Sequence, residues 1–505
     1  MQRATQMLKD AGVAFEVIHL GGDAAGEARL REIHPLLVPD GLSGAVHTPT
    51  DGIVNPADAC MGVVKMARDA GATFVERCGV AELCMAEGDG GVRAVTGVRT
   101  ACGAEVAAGA VVLACGQWTR QLAADAGVVV PTAIVPHQYV VFDQVKGVSN
   151  ALPVTRDYCN KVYIKPEVGG LMVGAFECPH TDMPPQVVAR NAGGRIPADA
   201  ENELYDDSVD KAGPALEAAM KLVPSLASVG VKQFLHGPDC HSADHEPIMG
   251  RAPGTANVFV AAGFNSQGIQ TGPGVGRALA EWVVHGDPSS GAFAGLDFSM
   301  CDVRRFHPPS VSCAEWGTAR ALEGYAKEYG LHPPQEQWEA GRGVRLSALH
   351  ERLQRAGALF GSVGAAGWER PLHFVPGEER AELYQDEELS FDHNACDWVR
   401  RAAAEHAACR NGVALFDLSS FGKVVVSGGA AEQLLEWSMS CPVAACADGR
   451  VSYTQAMNVS RSPLCSRTSS HTSCPHIMQR VPLLFADAQR ARRDRERPHD
   501  GAAAA

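Results

Sequence analysis

The chain has 505 residues, of which 46% are hydrophobic, and its 44 Lys and Arg stand against 58 Asp and Glu, a net charge of −14. That length suits roughly two to four globular domains, and the acidic balance disfavours nucleic acid or an anionic membrane as the main partner, since both need a basic face. No run of eighteen or more uncharged apolar residues occurs, residues 1–10 carry no apolar signal segment, and the 16 cysteines are scattered without a CxxC pair. Small-molecule chemistry with reduced thiols, and no structural zinc, is the expectation.

Residues 2–9 have helical character, and AFEVIHL (14–20) follows as a strand with no glycine fingerprint before it. In HTPTDGIVNPADACMGVVKMARDAGATFVE (47–76) a turn leads into a helix. Asn55 or Asp58 can cap it, Pro56 suits its first turn, Cys60, Val63, Val64 and Ala67 form its apolar face, and Gly71 stops it. TFVERCGVAEL, VRAVTGVRTACG and AEVAAGAVVLACG alternate with turn signals and predict strands joined by hairpins, with 110–116 the most buried of them. That last strand runs into QWTRQLAADAG, so it delivers Gly116 to a helix start beside Trp118.

From 131 to 250 the pattern changes to AIVPHQYVVFDQV, LPVTRDYCNKVYIKPEVGGLMVGAFE and, after a polar helical section over 201–222, KQFLHGPDCHSADHEPIMG. Antiparallel sheet is predicted here. NVFVAAGFNSQGIQTGPGVGRALAEWVVHG (257–286) then predicts a buried strand over 258–262, a glycine-rich loop, and a helix in which Val275, Leu279, Trp282 and Val283 recur at helical spacing. Gly263, Gly268, Gly272 and Gly274 are assigned to the loop. They let the backbone approach a bound group, and the free N–H groups at the helix start favour a phosphate or the pyrimidine oxygen of a reduced flavin. GPGVG is not a GxGxxG fingerprint, so on these residues alone a tight strand-to-helix turn is an equal reading. An α/β portion interrupted by antiparallel sheet and then resumed suggests a cofactor domain with an inserted substrate domain and a site between them.

Beyond Gly286 come an irregular connector (287–309), helical segments to about 359, and GWERPLHFVPGEER, a Pro- and Gly-containing loop. Residues 405–440 predict helix, strand, strand, helix, opening a second domain near Asp397. After Asn458 the composition breaks: residues 459–505 hold six Ser, eight Arg, no Lys and a closing run of Ala. This tail is expected to be unstructured or an aberrant reading of the gene. It is not expected to be a nucleic-acid arm, because four acids are set against the eight arginines.

Taken in order, HTPTDGIVNPAD, VVLACGQW, VPHQYVV, PVTRD with VYIKPEVGGLMVGAFE, and GFNSQGIQTGPGVGRALAEW resemble the flavin-dependent sarcosine and dimethylglycine dehydrogenase family. DVRRFHP, GWERPLHF and CRNGVALFDLSSFGK continue the resemblance into a GcvT-like, folate-binding aminomethyltransferase domain, and the match covers roughly residues 1–458. It implies an α/β (α+β) chain: an FAD-dependent amine-oxidoreductase fold with an inserted antiparallel substrate sheet, the first Rossmann βαβ unit missing, and a partial aminomethyltransferase-like domain. The implied boundaries are 1–300 for the DAO-like FAD domain with its insert at about 131–250, 301–396 for a connector, 397–458 for the partial folate domain and 459–505 for the tail. The family's GxGxxG turn for the FAD pyrophosphate belongs before Met1, and its folate domain runs on past VSYTQAMN. The chain is therefore expected to be a fragment or faulty gene reading of a longer enzyme, and to bind FAD weakly or not at all alone. Its place is expected to be the mitochondrial matrix if eukaryotic and the cytoplasm if bacterial, with no targeting segment visible.

The resemblance further implies FAD as cofactor, tetrahydrofolate in the full-length enzyme, and a small N-methyl amino acid as substrate. An electron-transfer flavoprotein or oxygen is the implied electron acceptor, and neither nucleic acid nor membrane is a partner. The implied reaction is oxidative demethylation by hydride transfer to flavin, of sarcosine, dimethylglycine or another secondary or tertiary amine. His137 and Tyr163 match positions that face the flavin and handle the substrate amine, where an imidazole and a phenol can take the proton that frees the nitrogen lone pair. On periodicity alone His137 is a histidine on a half-buried strand and Tyr163 a plain strand aromatic. Val80, Gly116 and Trp118 match cofactor-contacting places, and Phe264, Asn265, Ser266, Gln267, Gly268, Ile269 and Gln270 match the loop beside the flavin ring. His241, Asp244, His245 and Glu246 have a metal site's composition, but their turn-rich loop lacks the spacing to converge them, so no metal is expected. The same architecture also resembles the regulatory subunit of pyruvate dehydrogenase phosphatase, a binding protein, against which His137 and Tyr163 argue. A non-functional fragment is the third reading.

Overall fold

The computed structural model describes residues 2–88, 91–176, 195–197, 200, 204–286, 288, 293, 296–306, 314–328, 330, 336–363, 367–375, 397–446, 451–454 and 481–484. In chain order these form α1 (Gln2–Asp10), β1 (Glu16–His19), α2 (Ala24–Ile33), β2 (Gly44–His47), α3 (Pro56–Asp69), β3 (Val80–Glu87), β4 (Arg93–Thr100), β5 (Glu105–Ala107), β6 (Val111–Leu113), α4 (Thr119–Asp125) and β7 (Thr132–Phe142). Then come β8 (Thr155–Asp157), β9 (Val162–Glu167), β10 (Gly170–Ala175), α5 (Val209–Leu222), β11 (Val231–Ser242), β12 (Ile248–Arg251), β13 (Val258–Ala262) and α6 (Gly268–His285). The C-terminal part adds α7 (Ala314–Lys327), α8 (His350–Arg355), β14 (Ala358–Val363), β15 (Trp368–Phe374), α9 (Asp397–Asn411), α10 (Ala431–Ser438), β16 (Val451–Thr454) and β17 (Val481–Leu484). Backbone proximity divides the chain into two units, one of residues 13–294 and 298–420, the other of 1–12, 295–297 and 421–505. Among the described residues no helix is long and apolar enough to cross a membrane.

The larger unit holds the antiparallel sheet predicted for 131–250, in the order β11-β7-β10-β9-β8. Its strands show the period-two burial that a sheet with two unlike faces requires: along β9, Val162, Ile164 and Pro166 are buried while Tyr163, Lys165 and Glu167 are half-buried. Val140, Phe142, Val162, Ile164, Leu171 and Val173 point to one side and pack with Ala219 and Leu222 of α5 and with Ile18 and Leu30. Burying such a side chain contributes about 1.5–3 kcal/mol, so this face is where the sheet finds its stability. The other face carries His137 and Tyr163.

A second sheet has the order β12-β13-β6, with β13 parallel to β6 and antiparallel to β12. Leu113, Val258, Val260, Ala262 and Ile248 form its core with Leu122, Val128 and Trp316. Helix α3 is capped at its start as expected, the Asn55 side chain accepting from the amides of Ala57 and Asp58, and Gly286 closes the end of α6 in the left-handed region at φ 75.

Several expectations are corrected. The 110–116 strand is an edge among the described residues: only Leu113 is fully buried and Val112 is 44% exposed, with β13 the strand that β6 pairs with there. Helix α3 buries none of its residues, and Val63 is 59% exposed; amphipathic spacing says which face would meet a core, not that one is there. GWERPLHF is a strand rather than a loop, with Pro371 placed at a register shift between β14 and β15, where a missing N–H is tolerated. The two strands expected between α9 and α10 do not form, and Val413, Leu415, Val424 and Val425 stand exposed without a ladder partner among the described residues. Within the tail, Val481–Leu484 pairs antiparallel with β16, a strand too short for periodicity to show; the rest of 459–505 lies outside the described residues.

Candidate active site

On the second face of the five-stranded sheet, β7 contributes His137 and β9 contributes Tyr163, although β10 runs between them. Tyr163 reaches across because its register partner on β10 is Gly174: a Cβ there would fall 2.2 Å from the Tyr163 ring. The Tyr163 hydroxyl lies 3.2 Å from His137 Nε2, and the Tyr325 hydroxyl, from α7, lies 3.1 Å from Nδ1. A neutral imidazole donates at one nitrogen and accepts at the other, so two phenols suit either tautomer. Phe176 stacks on the imidazole at 4.7 Å and Tyr325 is fully buried. Lys161 holds α7 in place by donating to the carbonyl of Ala326 at 2.7 Å.

Beside this cluster, β13 leads through residues 263–267 into α6, and helical structure already begins at Gly268. Gly272 and Gly274, expected in the loop, are therefore helical, with Pro273 between them. Glycine and proline propensity favours a loop here, yet the backbone is helical through Pro273. Gly268, Gly272 and Gly276 recur every four residues and line a cavity of about 900 Å³ with Val275, Leu279 and Val283. A Cβ added at Gly272 or Gly276 would meet nothing within 4 Å, so each faces open space. Val112, Ala114 and Gly116, alternate residues at the end of β6, form another part of the wall. No side chain caps the start of α6, leaving its first amides to whatever enters the loop. Asn265 and Ser266 both hold left-handed conformations, φ 52 and 62, uncommon for residues with a Cβ and characteristic of functional turns. The buried Asn265 side chain secures that turn by accepting from the amide of Ser242 at 2.9 Å.

Asp239 of β11 projects into the same cavity. His241 Nε2 donates to its Oδ2 at 3.0 Å, the Ser266 hydroxyl contacts the same oxygen, and the Cys240 amide donates to Oδ1 at 2.9 Å. Burial pushes the Asp239 carboxyl up, but the hydrogen bond and charge of His241, the charge of His137 and the Ser266 hydroxyl outweigh it and hold the group well below the usual carboxylate range. Glu328, just past α7, shows the opposite balance: its burial dominates and raises its pKa, partly offset by the hydrogen bond from Gln267. It receives Gln267 Nε2 at 2.9 Å and contacts His245 Nε2.

Of the residues singled out in the sequence, Gly116, Phe264, Asn265, Ser266, Gly268 and Ile269 line the cavity together. Gln267 and Gln270 are turned toward Glu328 and each other, Gln270 donating to Gln267 at 2.8 Å. Trp118 donates through Nε1 to the carbonyl of Pro197 at 2.9 Å, and Val80 opens β3 opposite Thr100; neither is part of that wall. The residues weighed as a metal site are otherwise engaged, Asp244 by both ends of the Arg305 guanidinium at 2.7 and 2.8 Å, and among the described residues no group of three is placed to hold a metal ion. Sequence reasoning missed Asp239, Tyr325 and Glu328. The Asp-x-His spacing of 239 and 241 on a strand is a signal that they share a face, whereas Tyr325 lies 188 positions from His137 and no local pattern links them.

A glycine-walled cavity at a strand-to-helix turn, flanked by a histidine between two phenols, is the arrangement of a cofactor-dependent α/β oxidoreductase. The chain belongs to the FAD dependent oxidoreductase family, whose model matches residues 6–282. Residues 294–347 match the FAD dependent oxidoreductase central domain and 349–461 the GCVT N-terminal domain. The chain is 37% identical to 4-methylaminobutanoate oxidase (formaldehyde-forming) of Paenarthrobacter nicotinovorans, covering 84% of this chain and 47% of that protein. It is 32% identical to the mitochondrial sarcosine dehydrogenase of Mus musculus (82% and 45%) and 30% identical to the mitochondrial dimethylglycine dehydrogenase of Homo sapiens (81% and 44%). It thus spans about half the length of these curated relatives.

The residues present fit the flavin. The cavity lies within the roughly 300–1,000 Å³ of small-molecule sites, its helical wall lacks side chains at three successive turns, and helix-start amides meet its loop.

Proposed function

We propose that this chain supplies the flavin- and substrate-binding part of an enzyme that oxidatively demethylates a small N-methylated amino acid. The observation that carries the reading is the His137 imidazole, hydrogen-bonded by Tyr163 and Tyr325 beside a glycine-lined cavity. The similarity to oxidases and dehydrogenases of N-methyl amino acids supports the substrate class.

When bound, FAD supplies the acceptor for a hydride leaving the N-methyl carbon. Gly268, Gly272 and Gly276 would let it lie against α6, with the first amides of that helix favouring negative charge at its ring. His137 takes the proton from the substrate nitrogen, since a protonated amine has no lone pair with which to expel hydride; Tyr163 and Tyr325 orient the ring and share that proton. In the whole protein the segment matching the GCVT N-terminal domain would offer the released one-carbon unit to tetrahydrofolate, and electrons would pass to an electron-transfer flavoprotein or oxygen.

The test is anaerobic: the protein is loaded with FAD and mixed with sarcosine, dimethylglycine or 4-methylaminobutanoate while its visible flavin band is followed. Bleaching with at least one, and formaldehyde as product, is expected. Retained flavin that none of the three bleaches would sink the reading.

A further inference from the structure

We propose that Asp239 is the counter-ion for positive charge at the substrate nitrogen, receiving the ammonium form on arrival and facing the iminium left when hydride departs. This rests on the function proposed above and adds the subsite that recognises the amine. Three observations place it there. First, the carboxylate projects into the cavity with a quarter of its side chain exposed, next to Ser266 of the flavin-side loop. Second, β11 and β7 pair Gly237 with His137 and Asp239 with Val135, so Asp239 and His137 stand on one sheet face at diagonal positions, roughly 7–8 Å apart at that spacing. An amine held by one is within reach of the other. Third, the charge is built in rather than incidental. Cys240 and His241 donate to the carboxylate and Ser266 touches it, three contacts out of about four lone-pair sites, which leaves room for one more donor.

The surroundings favour Asp239 over the other acids. Glu328 is buried and engaged by Gln267 and His245, and Asp244 is engaged by Arg305.

The bookkeeping of the step is closed. The ammonium proton goes to His137, the C–H bond breaks with both electrons leaving as hydride to FAD, and the nitrogen lone pair becomes the C=N bond. The cation so formed meets the fixed carboxylate, a charge arranged before the reaction begins.

The test compares parent, Asp239→Asn and Asp239→Glu, each FAD-loaded with bound flavin quantified. Stopped-flow reduction by the parent's best N-methyl substrate gives Kd and limiting rate, and binding of its thioether analogue, sulfur in place of nitrogen, is read from the flavin spectrum. Asp239→Asn should weaken substrate binding about tenfold or more and slow reduction about 10²- to 10³-fold, leave thioether affinity within about twofold, and be partly rescued by Asp239→Glu. Unchanged substrate affinity and rate in Asp239→Asn, or equal loss of substrate and thioether, overturns the assignment while the function stands. A flavin-loaded parent that no N-methylated amine reduces overturns both.

Discussion

His137 is the side chain on which the proposed chemistry concentrates. A histidine ring on a strand is ordinary; one whose two nitrogens meet phenols from elements 26 and 188 residues away is not. Replacing His137 by Ala should slow flavin reduction by about 10²- to 10⁴-fold, and Tyr163→Phe should act in the same direction, because a positioned acid–base group is lost at the reacting step. Bound flavin should stay at the parent level in both, since neither residue is part of the cavity wall. Stopped-flow rates with flavin content measured on the same samples decide the matter, and parent-like rates in both variants would make these ordinary sheet positions. His137 and Tyr163 were legible in the sequence only through motif resemblance. Their mutual contact was not, because it depends on Gly174, a residue that looks unremarkable in VGGLMVGAFE until the Tyr163 ring is seen lying over it.

At the scale of elements, two structures carry the site: the sheet face beneath Tyr163 and helix α6. Gly174→Ala puts a methyl group against the Tyr163 ring, and overpacking of this kind costs about 1–3 kcal/mol unless the ring swings away. Either a lower Tm or a lost Tyr163–His137 contact follows; the variant should therefore combine mild destabilisation with slow flavin reduction, and a variant equal to parent in both would show the crossing to be slack. Helix α6 makes the opposite expectation. Gly→Ala inside a helix gains about 0.5–1 kcal/mol from backbone entropy, and nothing stands within 4 Å of a Cβ at 272. Gly272→Leu should keep or raise Tm while affinity for added FAD falls, measured by thermal unfolding and by titration with excess FAD. Affinity unchanged by Leu would mean that the cofactor lies elsewhere. The strand-loop-helix order of 257–286 was plain from its periodicities, yet the loop was drawn too long. Glycine and proline normally end helices, but here the helix begins among them beside an open cavity, which no local pattern indicates.

Across the whole molecule, charge and folding are coupled through Glu328, which ties the end of α7 to the start of α6 and to the turn after β11. Its pKa is raised above its ordinary value, burial being the main cause. A carboxyl raised in the folded state binds its proton more tightly there than when unfolded, so its contribution to stability falls as pH climbs from the ordinary Glu range through the folded value, then levels. Glu328→Gln removes that loss while keeping an acceptor for Gln267. The Tm of the variant relative to the parent should rise with pH across that window, and a difference that stayed flat or fell would contradict the burial argument. The antiparallel middle and the strand-loop-helix order of 257–286 were legible because each rests on local period or order. The exposed face of α3 and the lack of strands over 412–430 were not, since a strand or an amphipathic helix is defined by neighbours as much as by itself.

Tyr325 and Glu328 come from the stretch that matches the central-domain family, whereas His137, Tyr163, Asp239 and the turn at 263–267 come from the stretch before it. The seam between the two matched stretches thus runs through one side-chain cluster: His137 lies on one side of it and the phenol that meets its Nδ1 on the other, so exchanging either stretch for a foreign counterpart would separate that pair before it altered any surface.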